Sequence, residues 1–161
     1  MYYEDVFREL SRRRVRYLVV GGVAVVLHGI VRLTVDLDLM VDLESKNLRR
    51  FIEAMKSLGY KPRAPVAASD LLDQEKRRQW ADEKNMLVFS FYNPKKPYEV
   101  VDIFIDEPID FDEAYSGRKT YKAGSLNIPV ISIENLKKLK KSSGREQDKL
   151  DIEALKALED L

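Results

Sequence analysis

Two aspartates separated by one leucine, Asp36-Leu37-Asp38, are the residues of this sequence best placed to do chemistry. Residues i and i+2 of a strand point the same way, with backbones about 6.5–7 Å apart, so the two carboxylates are expected side by side. Carboxylates that close repel, and one is driven towards its neutral form unless a divalent cation sits between them. Mg2+ (or Mn2+) suits such a pair, because it is held by one or two carboxylates together with substrate phosphates. A third carboxylate from a neighbouring strand would complete a two-metal site of the phosphoryl-transfer kind. Asp102 is the residue for it, in the second alternating run, 98–106.

A glycine pair, Gly21-Gly22, at the end of an apolar run, is separated from Asp36 by thirteen intervening residues. Glycines there let the backbone approach a bulky anion, and the start of a following helix offers free N–H groups to a phosphate. Arg32 can reach phosphate oxygens from just before the aspartates. Each residue also has a plainer reading. The glycine pair alone is a structural turn, and an aspartate pair alone is a solvated strand face. Arg32 then pairs with Asp36 or Asp42, and Asp102 sits on an exposed edge. His28, the only histidine, is either a helix-end hydrogen bonder or a residue near the bound nucleotide. Lys137, Lys138, Lys140 and Lys141 read first as a solvated helix face. Arg12, Arg13, Arg14 and Arg16, with Lys76, Arg77 and Arg78, would make an RNA-binding patch if they converged.

The elements that must position these residues are read from periodicity. Residues 2–13 have helical spacing, 15–20 is a short strand, and 23–29 is a short buried helix starting after the glycines. Residues 33–43 alternate as a strand, with Val35, Leu37, Leu39 and Val41 on one face. Ser45 is the expected N-cap of a helix ending at Gly59. Residues 61–69 read as loop or edge, 70–84 as a helix, 85–92 and 98–106 as strands, and 118–131 as a hairpin turning at Gly124-Ser125. Two helices follow, capped by Ser132 and interrupted at Gly144. The fold class is α/β (α+β): a mixed twisted β-sheet flanked by helices with a helical C-terminal extension. One domain is expected over 1–161, with a core over about 1–131 and the helices over about 132–161.

Composition excludes several alternatives. The 161 residues carry a net charge of +1, so nucleic-acid binding would need a local patch. No cysteine is present, which removes disulfides, thiolate metal sites and cysteine nucleophiles. No apolar run is long enough for a membrane span, and the charged start 1–14 is no secretory signal, so a cytoplasmic protein without membrane partners is expected. Neither the G-x-x-x-x-G-K-[ST] phosphate loop nor the G-x-G-x-x-G dinucleotide fingerprint occurs. Asp-x-Asp also opens phosphatases of the haloacid dehalogenase type, but there on the first strand and followed by Thr or Val rather than Leu39-Met40.

The string Gly21-Gly22-x-Ala24-x-x-x-His28-Gly29-x-x-Arg32-x-Thr34-x-Asp36-Leu37-Asp38, with a later Val101-Asp102-Ile103-Phe104, resembles the nucleotidyltransferase superfamily that includes DNA polymerase β. It looks more specifically like its small prokaryotic AbiEii-type toxins and their relatives. Leu139-Lys140, Arg145, Asp148 and Asp151-Ile152 are similar to that group's C-terminal helices. The resemblance covers roughly 15–42 and 134–155, with Asp102 between, and leaves 60–97 unmatched. It implies a nucleotidyltransferase fold and transfer of a nucleoside monophosphate from a nucleoside triphosphate to a hydroxyl acceptor, with pyrophosphate leaving. The acceptor would be tRNA, a protein or a small molecule. It implies that Asp36 and Asp38 bind two metals, that Asp102 binds one and helps deprotonate the acceptor, and that Lys140 lines the site with Asp148 or Asp151. An antitoxin or a second copy of the chain is the implied partner. The contrasting reading is a non-catalytic nucleotide-binding or partner-binding domain that keeps the fold. One departure stands out: Val23 follows the glycines where many members place a small polar residue.

Overall fold

Two short strands with apolar residues on both faces form the centre of the protein, whose computed structural model describes all 161 residues. β1 (Tyr17–Val20) is buried along its length, and β2 (Leu37–Val41) buries Leu37, Leu39, Met40 and Val41 but leaves Asp38 partly open. Burial on both faces means that helices must cover the sheet on each side. The sheet has seven strands, adding β3 (Lys61–Pro62), β4 (Val88–Asn93), β5 (Lys96–Phe104), β6 (Lys119–Ala123) and β7 (Leu126–Val130). Their order is β3-β4-β5-β2-β1-β7-β6. β2 runs parallel to β5 and β1 parallel to β7, whereas β1 and β2 are antiparallel.

The helices are α1 (Glu4–Arg12), α2 (Gly21–Leu27), α3 (Ser45–Ser57), α4 (Gln74–Lys84), α5 (Phe111–Ser116), α6 (Ile133–Ser143) and α7 (Glu146–Glu159), with a 3-10 turn at Ala68–Leu72. α1 turns Val6, Phe7 and Leu10 inward, and α3 turns Leu48, Phe51, Ala54 and Met55 inward. Aromatic rings fill the β4 side of the core: Phe89 lies 5.6 Å from Trp80 of α4 and 5.1 Å from Phe91. Ser132 caps α6 as expected, accepting the Asn135 amide. No helix is long and apolar enough to cross a membrane.

Several boundaries differ from the sequence reading. α2 begins at Gly21 itself, so the glycines are its first turn rather than a joint ahead of it. The cap of α3 is Glu44, whose carboxylate accepts the amides of Lys46 and Asn47, and Ser45 is the first helical residue. α5, six residues capped by Asp110, is too short for periodicity to reveal. β2 starts only at Leu37. Residues 31–36 remain extended but leave the sheet: Arg32, Thr34 and Asp36 turn inward while Val31, Leu33 and Val35 face outward. Val35, expected on one strand face with Leu37, Leu39 and Val41, is therefore exposed while those three are buried.

A single hydroxyl holds that segment in place. Tyr3 Oη donates to the Val35 carbonyl at 2.6 Å and accepts the Val100 amide at 3.2 Å. It thus joins the residue before Asp36 to the strand that carries Asp102. Burial pushes the phenol up to about 12, against a hydrogen bond to Val100 and with the charges of Asp36, Glu99 and Asp102 adding to the rise, so it stays a donor across the physiological range. Tyr3→Phe leaves the Val100 amide and Val35 carbonyl without this partner. We expect it to lower unfolding free energy by about 1–3 kcal/mol in chemical denaturation, with far-UV circular dichroism unchanged.

Candidate active site

The parallel pairing of β2 with β5 sets Asp38 directly opposite Asp102. Paired residues on adjacent strands about 4.8 Å apart share a face of the sheet. Asp36, at the bend before β2, turns to the same side as Asp38. The three carboxylates feel one another. Burial pushes the Asp38 carboxyl up to about 7, the charges of Asp102 and Asp36 push the same way, and Arg145 and Lys140 oppose them. The Asp36 carboxyl is also raised, first by burial and then by Asp102, against Arg63. Ser90 of β4, in register with Asp102, donates to its Oδ1 at 2.5 Å and fixes its orientation.

No three acidic or imidazole side chains form a ready cage for a metal ion. The donor set nevertheless fits Mg2+ or Mn2+. It offers hard oxygen ligands on one face, with negative charge the protein leaves incompletely neutralised, and Mg2+ takes few carboxylates when substrate phosphates supply the rest.

The glycine pair owes its identity to these side chains. Gly21 has φ +65°, and a Cβ there would lie 2.2 Å from Asp38 Oδ2. A Cβ on Gly22 would lie 2.1 Å from Arg32 Nη1 and 2.6 Å from Thr34 Oγ1. The space beside the glycines, expected for a phosphate, is occupied by the Asp38 carboxylate and the Arg32 guanidinium. Thr34, expected within the alternating run 33–43, belongs to this packing.

Arg32 pairs with neither Asp36 nor Asp42. Its Nε lies 3.3 Å from Asp151 Oδ1, and Asp42 is taken by Arg16 at 2.6 Å. Asp151 in turn accepts Lys140 Nζ at 2.8 Å and Gln147 Nε2 at 3.0 Å. Asp148 lies 3.4 Å from the same Lys140 Nζ and 3.0 Å from Arg145 Nε. Both aspartates that the sequence left competing therefore contact Lys140. Lys140, Asp148 and Asp151 are buried, at 5%, 2% and 3% exposure. Burial raises the Asp148 carboxyl, yet hydrogen bonds from Ser143 and Arg145 outweigh it and hold the group below its usual range. Such a cluster persists only while every member is paired. Lys140 is thus no member of a solvated lysine face.

His28 stands apart. It follows the last residue of α2, roughly 10 Å along the helix from Gly21, and its Nε2 meets the Ile131 carbonyl at 2.7 Å. That contact ties the helix end to the segment after β7. The basic clusters do not merge either. Arg12 and Arg13 both grip Glu9 at 2.6 Å, whereas Lys76 and Arg78 bind Asp70 and Glu75 around α4, on the β4 side. Ser90, Tyr3 and Arg63 are site neighbours that sequence reasoning missed, and Arg145, named only through the resemblance, lies near Asp38. Only Ser90 left a trace, as the lone hydroxyl in the apolar run Val88–Phe91.

The raised Asp38 carboxyl makes a stability prediction. The group rises from 3.8 to about 7 on folding, so the native state holds its proton more tightly than the unfolded chain. This group's contribution to stability is full below about pH 4 and is lost as pH rises to about 7. Asp38→Asn should therefore match the parent near pH 4 and exceed it by about 1–3 kcal/mol at pH 8, allowing for solvent screening. Metal-free denaturation curves at the two pH values measure the difference.

No family model and no curated protein matches the chain. Solved structures do. The lincosamide antibiotic adenylyltransferase LnuA, lincomycin-bound, superposes with a TM-score of 0.60 at 20% identity, over 95% of this chain and 93% of that one. A candidate nucleotidyltransferase of Thermotoga maritima gives 0.56 at 13% identity, over 92% and 86% of the two chains. An antigenic nucleotidyltransferase-like protein of Paracoccidioides brasiliensis gives 0.56 at 14% identity, over 95% and 71%. A mixed sheet flanked by helices, shared with these proteins over 92–95% of this chain, gives it the nucleotidyltransferase fold.

Proposed function

We propose that this chain is a metal-dependent nucleotidyltransferase that moves a nucleoside monophosphate from a nucleoside triphosphate to a hydroxyl acceptor. The observation that carries the reading is the register of Asp38 against Asp102, with Asp36 inward beside them. Asp36 and Asp38 would hold divalent ions, with Asp102 joining them at one. The bound ions would neutralise charge on the triphosphate and on the leaving pyrophosphate.

The remaining work falls to the chain's own groups. Ser90 aims Asp102 at the acceptor. Asp102 takes the hydroxyl proton as that oxygen bonds to the α-phosphorus. The bond from the α-phosphorus to the oxygen bridging it to the β-phosphate breaks, and pyrophosphate departs with its electron pair. Arg32 holds phosphate oxygens, and Asp151, itself bound by Lys140, holds Arg32. Most of the acceleration comes from positioning and preorganised charge. LnuA is named for adenylylating a lincosamide, which makes small hydroxylated molecules the first acceptor class to examine, ahead of tRNA and proteins.

Two measurements test this. With Mg2+, the preferred triphosphate at a hundredfold over its dissociation constant should stabilise the fold by about 2.7 kcal/mol. Asp36→Asn combined with Asp38→Asn should remove that gain while leaving the metal-free protein folded. An unchanged response in the double variant would mean that the carboxylates are misassigned. Incubation with small hydroxylated compounds, tRNA or protein should move label from an α-labelled triphosphate to the acceptor, and none from a γ-labelled one. Metal-dependent binding without transfer to any acceptor class would favour a nucleotide-binding domain that has lost catalysis.

A further inference from the structure

A cavity of about 320 Å3 opens between the end of α1, the start of β1, α5 and the β6–β7 hairpin. It lies at the far end of β1 from Gly21, roughly 13 Å along the strand. None of its ten lining residues is acidic, and three are arginines: Arg14, Arg16 and Arg118. Tyr115 organises two of them. The Arg118 guanidinium lies 4.0 Å above its ring and the Arg16 guanidinium 4.9 Å away, while Phe111 stacks on the ring at 5.3 Å. The ring is therefore occupied by its own arginines and offers no face to a nucleobase. Arg16 is neutralised by Asp42 and Asp112, at 2.6 and 3.0 Å. Arg118 donates to a carbonyl, Tyr115 O at 2.8 Å, and Arg14 is exposed at the mouth.

We propose that this cavity is a binding site for phosphate groups, distinct from the carboxylate site and independent of the reaction assigned there. Planar guanidinium forks match the oxygens of a phosphate in pairs. Stacking on Tyr115 lowers the entropy lost when Arg118 engages a ligand. The volume holds a phosphate or diphosphate with some of its waters, each water taking about 30 Å3. The basic surface continues outward: Lys122 lies opposite Asn127 in the hairpin, and Asn127 lines the cavity. A further cation beyond the cavity suits a polynucleotide backbone better than a free phosphate, and the two sources separate experimentally.

The test uses the full chain carrying Asp36→Asn and Asp38→Asn, so that the carboxylate site holds no metal-bound phosphate and any binding left there is common to all the variants compared. Binding of a fluorescent twelve-nucleotide oligouridylate is followed by anisotropy, and binding of inorganic pyrophosphate by calorimetry, both in about 0.1 M salt with EDTA. At least one ligand should bind, and adding Arg14→Ala with Arg118→Ala should weaken it by about tenfold or more. Arg14→Lys with Arg118→Lys should recover part of the loss. A control of equal charge, Arg8→Ala with Lys138→Ala, should change affinity less than about threefold. Loss confined to the oligonucleotide identifies a backbone site, and loss confined to pyrophosphate a free-phosphate site. No binding of either ligand, or equal losses in the cavity variant and the control, overturns the proposal. Circular dichroism confirms that each variant is folded. Should both alanine changes unfold the chain, Lys122→Ala, on an exposed strand, gives the same comparison for the oligonucleotide.

Discussion

Mutual repulsion among three carboxylates on one face of a sheet is the constraint around which the rest of the protein is arranged. Parallel pairing of β2 with β5 makes the repulsion unavoidable, because it brings Asp38 and Asp102 into register. Nearby cations relieve it only in part: Arg145 and Lys140 act on Asp38 and Arg63 on Asp36, yet burial and the neighbouring carboxylates outweigh them. Arg32, the cation closest in sequence, is drawn off to Asp151, and Asp38 stays raised to about 7. Holding like charges together costs stability, and natural proteins retain such costs at sites that bind something of opposite charge.

Small residues and tethers around the carboxylates follow from that constraint. Gly21 and Gly22 are side-chain-free because Asp38 and Arg32 press against the first turn of α2. Ser90 and Tyr3 reach in from β4 and from the residue before α1, and each fixes a different part of the acidic face. Four separate stretches of chain therefore share responsibility for the geometry of one pair of strands.

How much of this was legible in the sequence depends on the range of the interaction. Asp36 and Asp38 could be read because alternation survives in a short segment, even one that leaves the sheet at residue 36. Asp102 could be read because its strand alternates cleanly, although nothing in the spacing shows that β5 pairs with β2 in parallel. The glycine pair was found with the right neighbourhood and a different tenant, since spacing cannot say whether the room is kept for a ligand or for the protein's own side chains. Tyr3 was illegible and Ser90 nearly so, as Tyr3 acts on Val35 and Val100 across 32 and 97 residues of chain and Ser90 on Asp102 across 12. Lys140 was identified by resemblance, whereas its periodicity alone placed it on a wet helix face. Its burial arises from a fold of α7 back onto α6 that only tertiary contact reveals.

That buried ion cluster bears on how the molecule comes apart. Lys140 of α6 and Arg32 of the loop before β2 meet on Asp151 of α7, so fraying of the last helix would strand two cations away from water. The C-terminal segment consequently belongs to the same cooperative unit as the sheet, and trimming it to obtain a minimal core would strip the acidic strands of their backing. Amide exchange in α7 should be as slow as in β1, rather than at the pace of a dangling tail.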